Sequence, residues 1–509
     1  MRALLAAAMV LLAACGEPIA PVDLRIVDAR IVDGTGAPAR TGEVHVRDGR
    51  IVHVGPTPAA PINALRVIDA GGRVVAPGFI DPHSHGDAMA TPEFENFLAM
   101  GVTTVTLGQD GDSPAVEDLG AYLEGITGLG PNLAMFVGHG TLRELAGIGR
   151  DPVPDEAGMA RMLNLLERSL DHAFGLSTGL EYNPGLNAGD DEMLALAGIV
   201  GARDRVIMSH VRNEDDPVLA QSLAELIRQG GAARVHVAHL KSVYGKGAAR
   251  GREILALLEA ARAEGVEITA DVYPYTASYT GLALLFPVWA KAPEQFAEAK
   301  VSRRAELADY LRRRVEGRNG PAATLLGTAP HAGKTLADLA AELGKPFEEV
   351  LIDDLGPQGG SAAYFIMDED LQSEFIRAPG IAICSDGSPT GFHPRGHGTF
   401  ARIIETYVRA RGVLSLEAAV HKMTALPARI IGLGDRGTLA EGKAADLVLF
   451  DPARVHETAT YEQPMALAEG FDLVVVGGVV VRENGVLSDA RPGRVLRPRA
   501  VRVEAVSEG

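Results

Sequence analysis

Two histidines separated by one residue, His83 and His85, directly follow an apolar run of strand type at residues 74–81. In an extended chain, residues two apart point to the same side, so both imidazoles can reach one cation. Neutral imidazole nitrogens are common zinc ligands. The spacing therefore indicates half of a metal site, although a buried or solvated histidine pair has the same spacing.

The stretch around this pair alternates apolar strands with helical patterns, as βαβ units do. Helical patterns at residues 157–171 and 192–202 separate strands of this kind. The strand candidates are residues 74–81, 102–108, 132–138, 173–179, 205–209, 234–238, 267–272 and 381–385. Eight strands that alternate with helical patterns predict an α/β fold, namely a TIM (β/α)8 barrel.

Polar side chains of the metal-binding and acid/base types follow most of these strands. In a TIM barrel, catalytic groups come from the carboxyl ends of several strands, so these side chains are expected to meet. Imidazoles together with carboxylates at one barrel mouth favour metal-dependent chemistry. The residues concerned are His83, His85, Asp110, His139, Glu181, Tyr182, His210, Arg212, His239, Lys241, Asp271, Tyr273, Tyr275 and Asp386.

The two chain ends share a different pattern, namely short strands of alternating apolar and polar residues joined by turn residues. We therefore expect residues 15–75 and 433–509 to form one small β-sandwich domain, and residues 76–432 to form the barrel. The segment from about 285 to 375 is longer than one crossover helix needs. It predicts an insertion before the last barrel strand, placed over the barrel mouth.

That insertion contains helical patterns of its own, at residues 303–316 and 335–343. At the other end of the chain, residues 1–14 are typical of a lipoprotein signal peptide, and Leu12-Ala13-Ala14-Cys15 looks like a bacterial lipobox. Cys15 would carry the lipid anchor and hold the protein at the periplasmic or extracellular face of the cell envelope. An ordinary secretory signal is the alternative.

The overall composition limits the class of partner. The 509-residue chain has a formal net charge of -18, which disfavours nucleic acid because phosphate binding needs clustered Lys and Arg. Membrane contact is expected through the Cys15 anchor only. A small molecule is therefore the expected partner.

A set of motifs in fixed order resembles the amidohydrolase superfamily, and within it the N-acyl-D-amino-acid deacylase (D-aminoacylase) family. The resemblance covers residues 22 to 482 and implies a metal-bearing TIM barrel with a small β-sandwich. The motifs are GFIDPHSHGD (78–87), GVTTVTLG (101–108), GHGTLR (138–143), GLSTGLEYNPG (175–185), SHVRNE (209–214), HVAHLK (236–241), ADVYPYTAS (270–278), SDG (385–387), HPRGHGTF (393–400) and ADLVLFDP (445–452).

The resemblance also implies roles for individual residues. Asp386 would act as the catalytic acid/base as well as a metal-site residue, with one or two Zn²⁺ ions as cofactor. Zinc lowers the pKa of bound water from ~15.7 to about 7, which gives hydroxide at neutral pH. The implied metal-site residues are His83, His85, His210, His239 and Asp386.

One motif departs from the family. D-aminoacylases typically carry a metal-binding cysteine after the second strand, and here Asp110 stands at that place. Glu181, after the fourth strand, is the other anion that could bridge two cations. We expect Glu181 in preference to Asp110, because a carboxylate from strand four is the commoner solution in the superfamily.

Substrate recognition is expected at the same mouth. By resemblance, Lys241 and Tyr182 would bind the substrate carboxylate, with Tyr275 and Ser278 nearby. Arg212 lies two residues after His210 and could share its face, or could be a solvated loop cation. His393 belongs to a glycine-rich loop after the last strand and could also contact the substrate.

These observations predict a metal-dependent hydrolase of a linear amide bond that deacylates N-acyl-D-amino acids. A dipeptidase or carboxypeptidase-like enzyme acting on peptides or D-amino-acid-containing fragments is the alternative within the same superfamily. A non-catalytic binding lipoprotein is the alternative of another class. The sequence leaves open the acyl group, the side chain and stereochemistry of the substrate, the metal count and the oligomeric state.

Overall fold

The computed structural model describes residues 21–499. The signal peptide predicted at residues 1–14 and the predicted anchor Cys15 lie outside the described residues. Among the described helices, none combines the length and the apolar composition needed to cross a bilayer.

Strands and helices are numbered in chain order. The strands are β1 (Val22–Ile31), β2 (Arg40–Arg47), β3 (Arg50–Gly55), β4 (Ala64–Asp69), β5 (Val74–Pro77), β6 (Phe79–Asp81), β7 (Val102–Leu107), β8 (Asn132–Met135), β9 (Val137–Gly138), β10 (Gly175–Gly179), β11 (Val206–His210), β12 (Arg234–Val237), β13 (Ile268–Val272), β14 (Ala277–Gly281), β15 (Thr324–Leu326), β16 (Ser361–Phe365), β17 (Ile381–Ile383), β18 (Leu447–Phe450), β19 (Phe471–Val476), β20 (Val479–Glu483) and β21 (Val486–Leu487).

The α-helices are α1 (Glu95–Ala99), α2 (Leu119–Glu124), α3 (His139–Leu145), α4 (Glu156–Ser169), α5 (Asp190–Ala202), α6 (Asp216–Gln229), α7 (Gly247–Ala263), α8 (Pro293–Ser302), α9 (Arg304–Gly317), α10 (Leu336–Leu343), α11 (Phe347–Val350), α12 (Glu369–Arg377), α13 (Arg395–Arg402), α14 (Leu416–Met423) and α15 (Ala425–Ile431). The 3₁₀ and π turns are Gly185–Asn187, Leu282–Leu285, Val288–Ala290, Pro321–Ala323, Leu351–Leu355 and Ile403–Ala410.

Both ends of the described chain contribute to one nine-stranded sheet. Its order is β21-β20-β19-β18-β5-β1-β2-β3, with β4 beside β1. Inward-facing side chains such as Ile26, Val44, Leu447 and Val475 pack into its core. The sheet therefore joins strands that precede and follow the central part of the chain.

The run at residues 74–81 is divided between two sheets. β5 pairs antiparallel with β18, whereas β6 pairs parallel with β7. The chain crosses between them at Gly78, where a Cβ would lie 2.2 Å from Oγ1 of Thr103. The single strand expected here is therefore divided in two at Gly78, where the side chain of Thr103 leaves no room for a Cβ.

The central part has an α/β architecture built on two parallel sheets. One sheet has the order β6-β7-β8 and the other β9-β10-β11-β12-β13-β17, with every pair parallel. Only Phe136 separates β8 from β9. Helices such as α4 and α5 lie between the strands in sequence, as the helical patterns predict. The carboxyl ends of the strands within each sheet consequently face one side.

The segment before β17 has a sheet and a core of its own. β14, β16 and β15 form an antiparallel sheet, and α9 and α10 coincide within one residue with the predicted helices. Leu285, Leu307, Leu311, Leu339 and Tyr364 are buried together in this segment. The insertion can therefore present loops and helix ends without disturbing the parallel sheets.

Candidate metal centre

His83 and His85 lie just beyond the end of β6. Asp81, buried at that end, accepts hydrogen bonds from the backbone N–H groups of His83 (3.2 Å) and Ser385 (3.0 Å). These bonds tie the end of β6 to the chain that follows β17. His83 is fully buried, and neither of its ring nitrogens has a hydrogen-bond partner among the described residues.

Asp110 stands among the histidines, in the turn after β7. Its carboxylate oxygens lie 3.2 Å from Nε2 of His239, 3.3 Å from Nε2 of His83 and 3.4 Å from Nε2 of His85. The turn has a φ of 54° at Asp110 and 78° at Gly111. A Cβ at Gly111 would lie 2.7 Å from a backbone nitrogen of β10, so glycine is required there.

His210 and His239 come from β11 and from the loop after β12. Nδ1 of His210 and Nε2 of His239 are 2.9 Å apart. Nδ1 of His239 lies 2.7 Å from Nζ of Lys241 and 3.2 Å from Oε1 of Glu214. These partners fix the ring so that its Nε2 faces Asp110, as supporting contacts do for metal-binding histidines.

Asp386 completes the cluster from the chain after β17, with a φ of 50°. Its backbone N–H donates to the carbonyl oxygen of His83 at 2.9 Å. Oδ1 lies 3.1 Å from Nε2 of His85 and 3.7 Å from Nε2 of His83. Oδ2 accepts a hydrogen bond from Nη1 of Arg395 at 2.6 Å.

The electrostatics of the cluster favour bound positive charge. Burial disfavours the ionised form of both carboxylates. Arg395 and the imidazoles nevertheless hold the pKa of Asp386 well below its usual range. The imidazoles do the same for the pKa of Asp110. Burial and Lys241 oppose a charged His239, but Asp386 and Asp110 raise its pKa to about 10. Asp110 and Asp386 are thus ionised, and their charges favour a positive charge held among the imidazoles.

The donor atoms also fit a divalent cation. Neutral imidazole nitrogens and carboxylate oxygens are ordinary zinc ligands, and the unpartnered nitrogens of His83 need such a partner. Among the described residues, two sets of donor atoms lie within 4.8 Å of one another: His83, Asp110, His239 and Asp386 in one, and His210, Glu214 and His239 in the other.

The geometry favours Asp110 as the central anion, whereas the sequence led us to expect Glu181. Oε2 of Glu181 lies 3.2 Å from Nε2 of His210 and belongs to neither donor set. Nδ1, the other ring nitrogen of His210, faces His239 and lies 3.8 Å from Asp110. The left-handed turn at Asp110 brings its carboxylate into the cluster, whereas the Glu181 carboxylate contacts the outer nitrogen of one histidine.

A cavity of about 300 Å³ opens onto the cluster. Lys241, Tyr182, Ser278 and His393 line it, as expected for substrate contacts. His393 also has a positioning role, because its Nδ1 accepts the backbone N–H of Arg395 at 3.0 Å. These four predicted residues therefore share one space with the metal-type donors.

Arg212 and Tyr275, which were expected to contact the substrate, do not line this cavity. Arg212 donates to the carboxylate of Glu225 at 2.7 Å. β11 ends at His210, and the alternation of an extended strand does not continue to Arg212. The hydroxyl of Tyr275 instead donates to Glu457 at 2.6 Å.

The cavity contains further polar side chains whose roles the sequence did not indicate. Arg395 lies in the motif HPRGHGTF and Tyr273 in ADVYPYTAS, so both stood inside recognisable segments. Arg318 comes from the insertion and lies in no motif. The additional polar lining residues include Glu214, Tyr273, Tyr279, Arg318, Ser361 and Arg395.

Comparisons with known proteins agree with this site. A family model described as amidohydrolase family matches residues 299–482. The N-acyl-D-glutamate deacylase of Alcaligenes xylosoxydans xylosoxydans is 37% identical, with 94% of this chain and 96% of that protein covered.

Solved structures give the same result. The N-acyl-D-glutamate deacylase of Bordetella bronchiseptica, complexed with zinc and a phosphonate inhibitor, is 33% identical with a TM-score of 0.79. A D-aminoacylase structure that concerns the binuclear metal centre of that enzyme is 32% identical with a TM-score of 0.81. Each match covers 94% of this chain and 100% of the other. The resemblance seen in the sequence is confirmed: the chain belongs to the N-acyl-D-amino-acid deacylase (D-aminoacylase) family of metal-dependent amidohydrolases.

Proposed function

We propose that this protein is a zinc-dependent hydrolase that removes the acyl group from N-acyl-D-amino acids. The observation that carries the proposal is the placement of Asp110 within 3.2–3.4 Å of three imidazoles, at the floor of a cavity that also contains Lys241 and Arg395. Metal-type donors and fixed cations in one cavity suit an anionic substrate with a scissile amide.

The donor sets indicate which residues would hold metal. His83, His85, Asp110 and Asp386 suit one ion, while His210 and His239 suit a second that shares Asp110. Zinc there supplies Lewis acidity toward the scissile carbonyl and makes water more acidic. Asp110 is the proposed bridging anion. It stands at the position where D-aminoacylases typically have a metal-binding cysteine.

Asp386 is the proposed acid/base. Arg395 occupies Oδ2 and favours the ionised form, so Oδ1 is left to accept a proton from the attacking water. The same oxygen can then protonate the leaving amino nitrogen. This order returns Asp386 to its ionised form at the end of each cycle.

Lys241 is the proposed partner of the substrate α-carboxylate. Its ammonium has three donors, of which one is taken by Glu214 at 2.6 Å and one faces Nδ1 of His239 at 2.7 Å. The remaining donor is available to the cavity. Tyr182, whose ring centroid lies 4.6 Å from that of His210, supplies a neighbouring hydroxyl.

We propose further that the two parallel sheets are sections of one TIM (β/α)8 barrel. In support, Ser84 forms a parallel bridge with Gly387, beyond the ends of β6 and β17. His85 also donates its backbone N–H to the carbonyl of Gly387 at 2.8 Å. The sheet of the chain ends would be the β-sandwich domain at residues 15–75 and 433–509, with the insertion at residues 285–375 over the mouth.

A dipeptidase or carboxypeptidase-like activity is the second candidate. A larger cavity of about 960 Å³ adjoins the first at His85, Asp110 and Tyr182. Asp87, Asp112 and Glu144 line it, and no Lys or Arg does so among the described residues. Such a space suits a bulky acyl part, including one that carries a free amine.

We propose that the protein is attached to the bacterial cell envelope through a lipid anchor at Cys15. The signal-peptide and lipobox pattern of residues 1–15 supports this location. Incorporation of labelled palmitate that is lost in Cys15→Ala would support the anchor. Labelling that persists in Cys15→Ala would contradict it.

The central experiment is a substrate panel on zinc-loaded enzyme. Matched N-acetyl-D- and N-acetyl-L-amino acids should differ strongly in kcat/KM, with the D forms turned over. Turnover of dipeptides without any N-acetyl-D-amino acid would favour the second candidate. Zinc-loaded protein that hydrolyses neither class would overturn both.

A further inference from the structure

A third cation lies in the substrate cavity, besides Lys241 and Arg395. Arg318, directly after α9 in the insertion, lines the cavity and is only 2% exposed. Its Nε has no hydrogen-bond partner among the described residues. The guanidinium is therefore buried at the cavity wall with unused donor capacity.

The three cations differ in how they are paired. Lys241 and Arg395 each contact a carboxylate, Glu214 and Asp386 respectively, at 2.6 Å. Arg318 instead pairs with Asp215, whose Oδ1 lies at the longer distance of 3.6 Å.

That carboxylate is also shared. Arg314 donates to Oδ2 of Asp215 at 2.7 Å, so two guanidinium groups depend on one acid. Removing a cation from water is costly unless it is well paired, which leaves Arg318 suited to an additional anion. A guanidinium can bind a carboxylate through two parallel hydrogen bonds.

Aromatic side chains hold Arg318 in place. Its Cζ lies 5.2 Å from the ring centroid of Tyr364 and 5.9 Å from that of Tyr244. Lys241 and Arg395 instead both approach the ring of Tyr273, at 5.6 Å and 5.0 Å from its centroid. The cavity therefore offers two distinct cationic regions, one beside the metal cluster and one on the insertion.

We propose that Arg318 binds the side-chain carboxylate of the substrate, so that the enzyme prefers N-acyl-D-amino acids with an acidic side chain. This inference rests on the proposed deacylase function. Lys241, beside the metal cluster, serves the α-carboxylate, and Arg318 serves the second carboxylate. Arg318 is thus a specificity residue supplied by the insertion.

The test compares N-acetyl-D-glutamate with N-acetyl-D-glutamine, which has the same shape but no side-chain charge. Wild-type enzyme should prefer the glutamate by about 30-fold or more in kcat/KM, the range expected for a buried charge pair. Arg318→Met should remove that preference while leaving glutamine turnover within about threefold, as expected for lost side-chain recognition alone. Arg318→Lys should restore part of the preference.

Arg314→Met is the matched control, because Arg314 shares Asp215 but does not line the cavity. It should keep the glutamate preference, and thermal melting would verify that both variants fold. Equal loss on both substrates in Arg318→Met, or a wild-type enzyme without glutamate preference, would overturn the inference but leave the deacylase function intact. Absence of turnover with every N-acetyl-D-amino acid would instead overturn the proposed function.

Discussion

Nη1 of Arg395 donates to Oδ2 of Asp386 at 2.6 Å, while Oδ1 of the same carboxylate lies 3.1 Å from Nε2 of His85. One oxygen is thus fixed by a permanent cation, and the other faces the metal-type donors. His393 supports this arrangement by accepting the backbone N–H of Arg395. The pair links the acid/base chemistry to the start of α13, which lies in the motif HPRGHGTF.

Arg395→Met should shift the pH dependence of catalysis. Burial raises the pKa of Asp386, and Arg395 and the nearby imidazoles lower it to well below the usual range. Loss of the guanidinium raises that pKa, so the acidic limb of the kcat/KM profile should move upward by about one pH unit. Activity at neutral pH should fall about 10- to 100-fold through the lost charged hydrogen bond.

The control for that variant is Arg402→Met, which removes a partly buried cation that pairs with Glu457 rather than Asp386. Its acidic limb should stay at the wild-type pH. An unshifted limb in Arg395→Met would show that Arg395 does not set the ionisation of the catalytic group.

Asp386→Asn should abolish turnover while much of the zinc is retained. The amide keeps the shape of the carboxylate but cannot take up a proton, and acid–base catalysis contributes about 10²–10⁴-fold in rate. Metal content per chain would be measured beside kcat. Asp435→Asn, at an exposed position, is the control and should leave both values unchanged. Wild-type kcat in Asp386→Asn would refute the acid/base role.

Asp110 and Glu181 can be separated by zinc binding. Asp110→Asn removes a carboxylate that lies near four histidines. Loss of a residue that only supports a metal ligand lowers metal affinity about 10–100-fold, and the loss of zinc affinity in Asp110→Asn should be larger. Glu181→Gln should have a much smaller effect, because the Glu181 carboxylate contacts the outer nitrogen of His210 and belongs to neither donor set among the described residues. Asp110→Cys should retain metal, since a thiolate can serve as the same anion. The reverse order of losses would restore Glu181 as the bridging residue.

Much of this site could be predicted from strand order. His83, His85, His210, His239 and Asp386 meet because each follows a parallel strand, and the carboxyl ends of parallel strands lie on one side. The family resemblance then assigned their chemistry. Neither step depends on the details of a loop.

The residues whose positions differ from the expectation, or that the sequence did not indicate, depend on loop geometry and on the packing of the insertion. The φ of 54° that aims Asp110 inward is not visible in the sequence, and Glu181 therefore seemed the better anion. Arg212 follows the end of its strand, where alternation no longer applies. Arg318 reaches the cavity through the packing of the insertion, which periodicity does not reveal.

Gly111 offers a test of whether that turn positions Asp110. Gly111 and Gly147 both have a φ of 78°, so Ala at either position should cost about 1–2 kcal/mol in unfolding free energy. A Cβ at Gly111 would also lie 2.7 Å from the backbone of β10, whereas at Gly147 it would meet nothing within 4 Å. Gly111→Ala should therefore displace Asp110 and reduce zinc content and kcat/KM, while Gly147→Ala should only lower stability. Equal zinc content in the two variants would mean that Asp110 reaches the metal-type donors without the close packing of its turn.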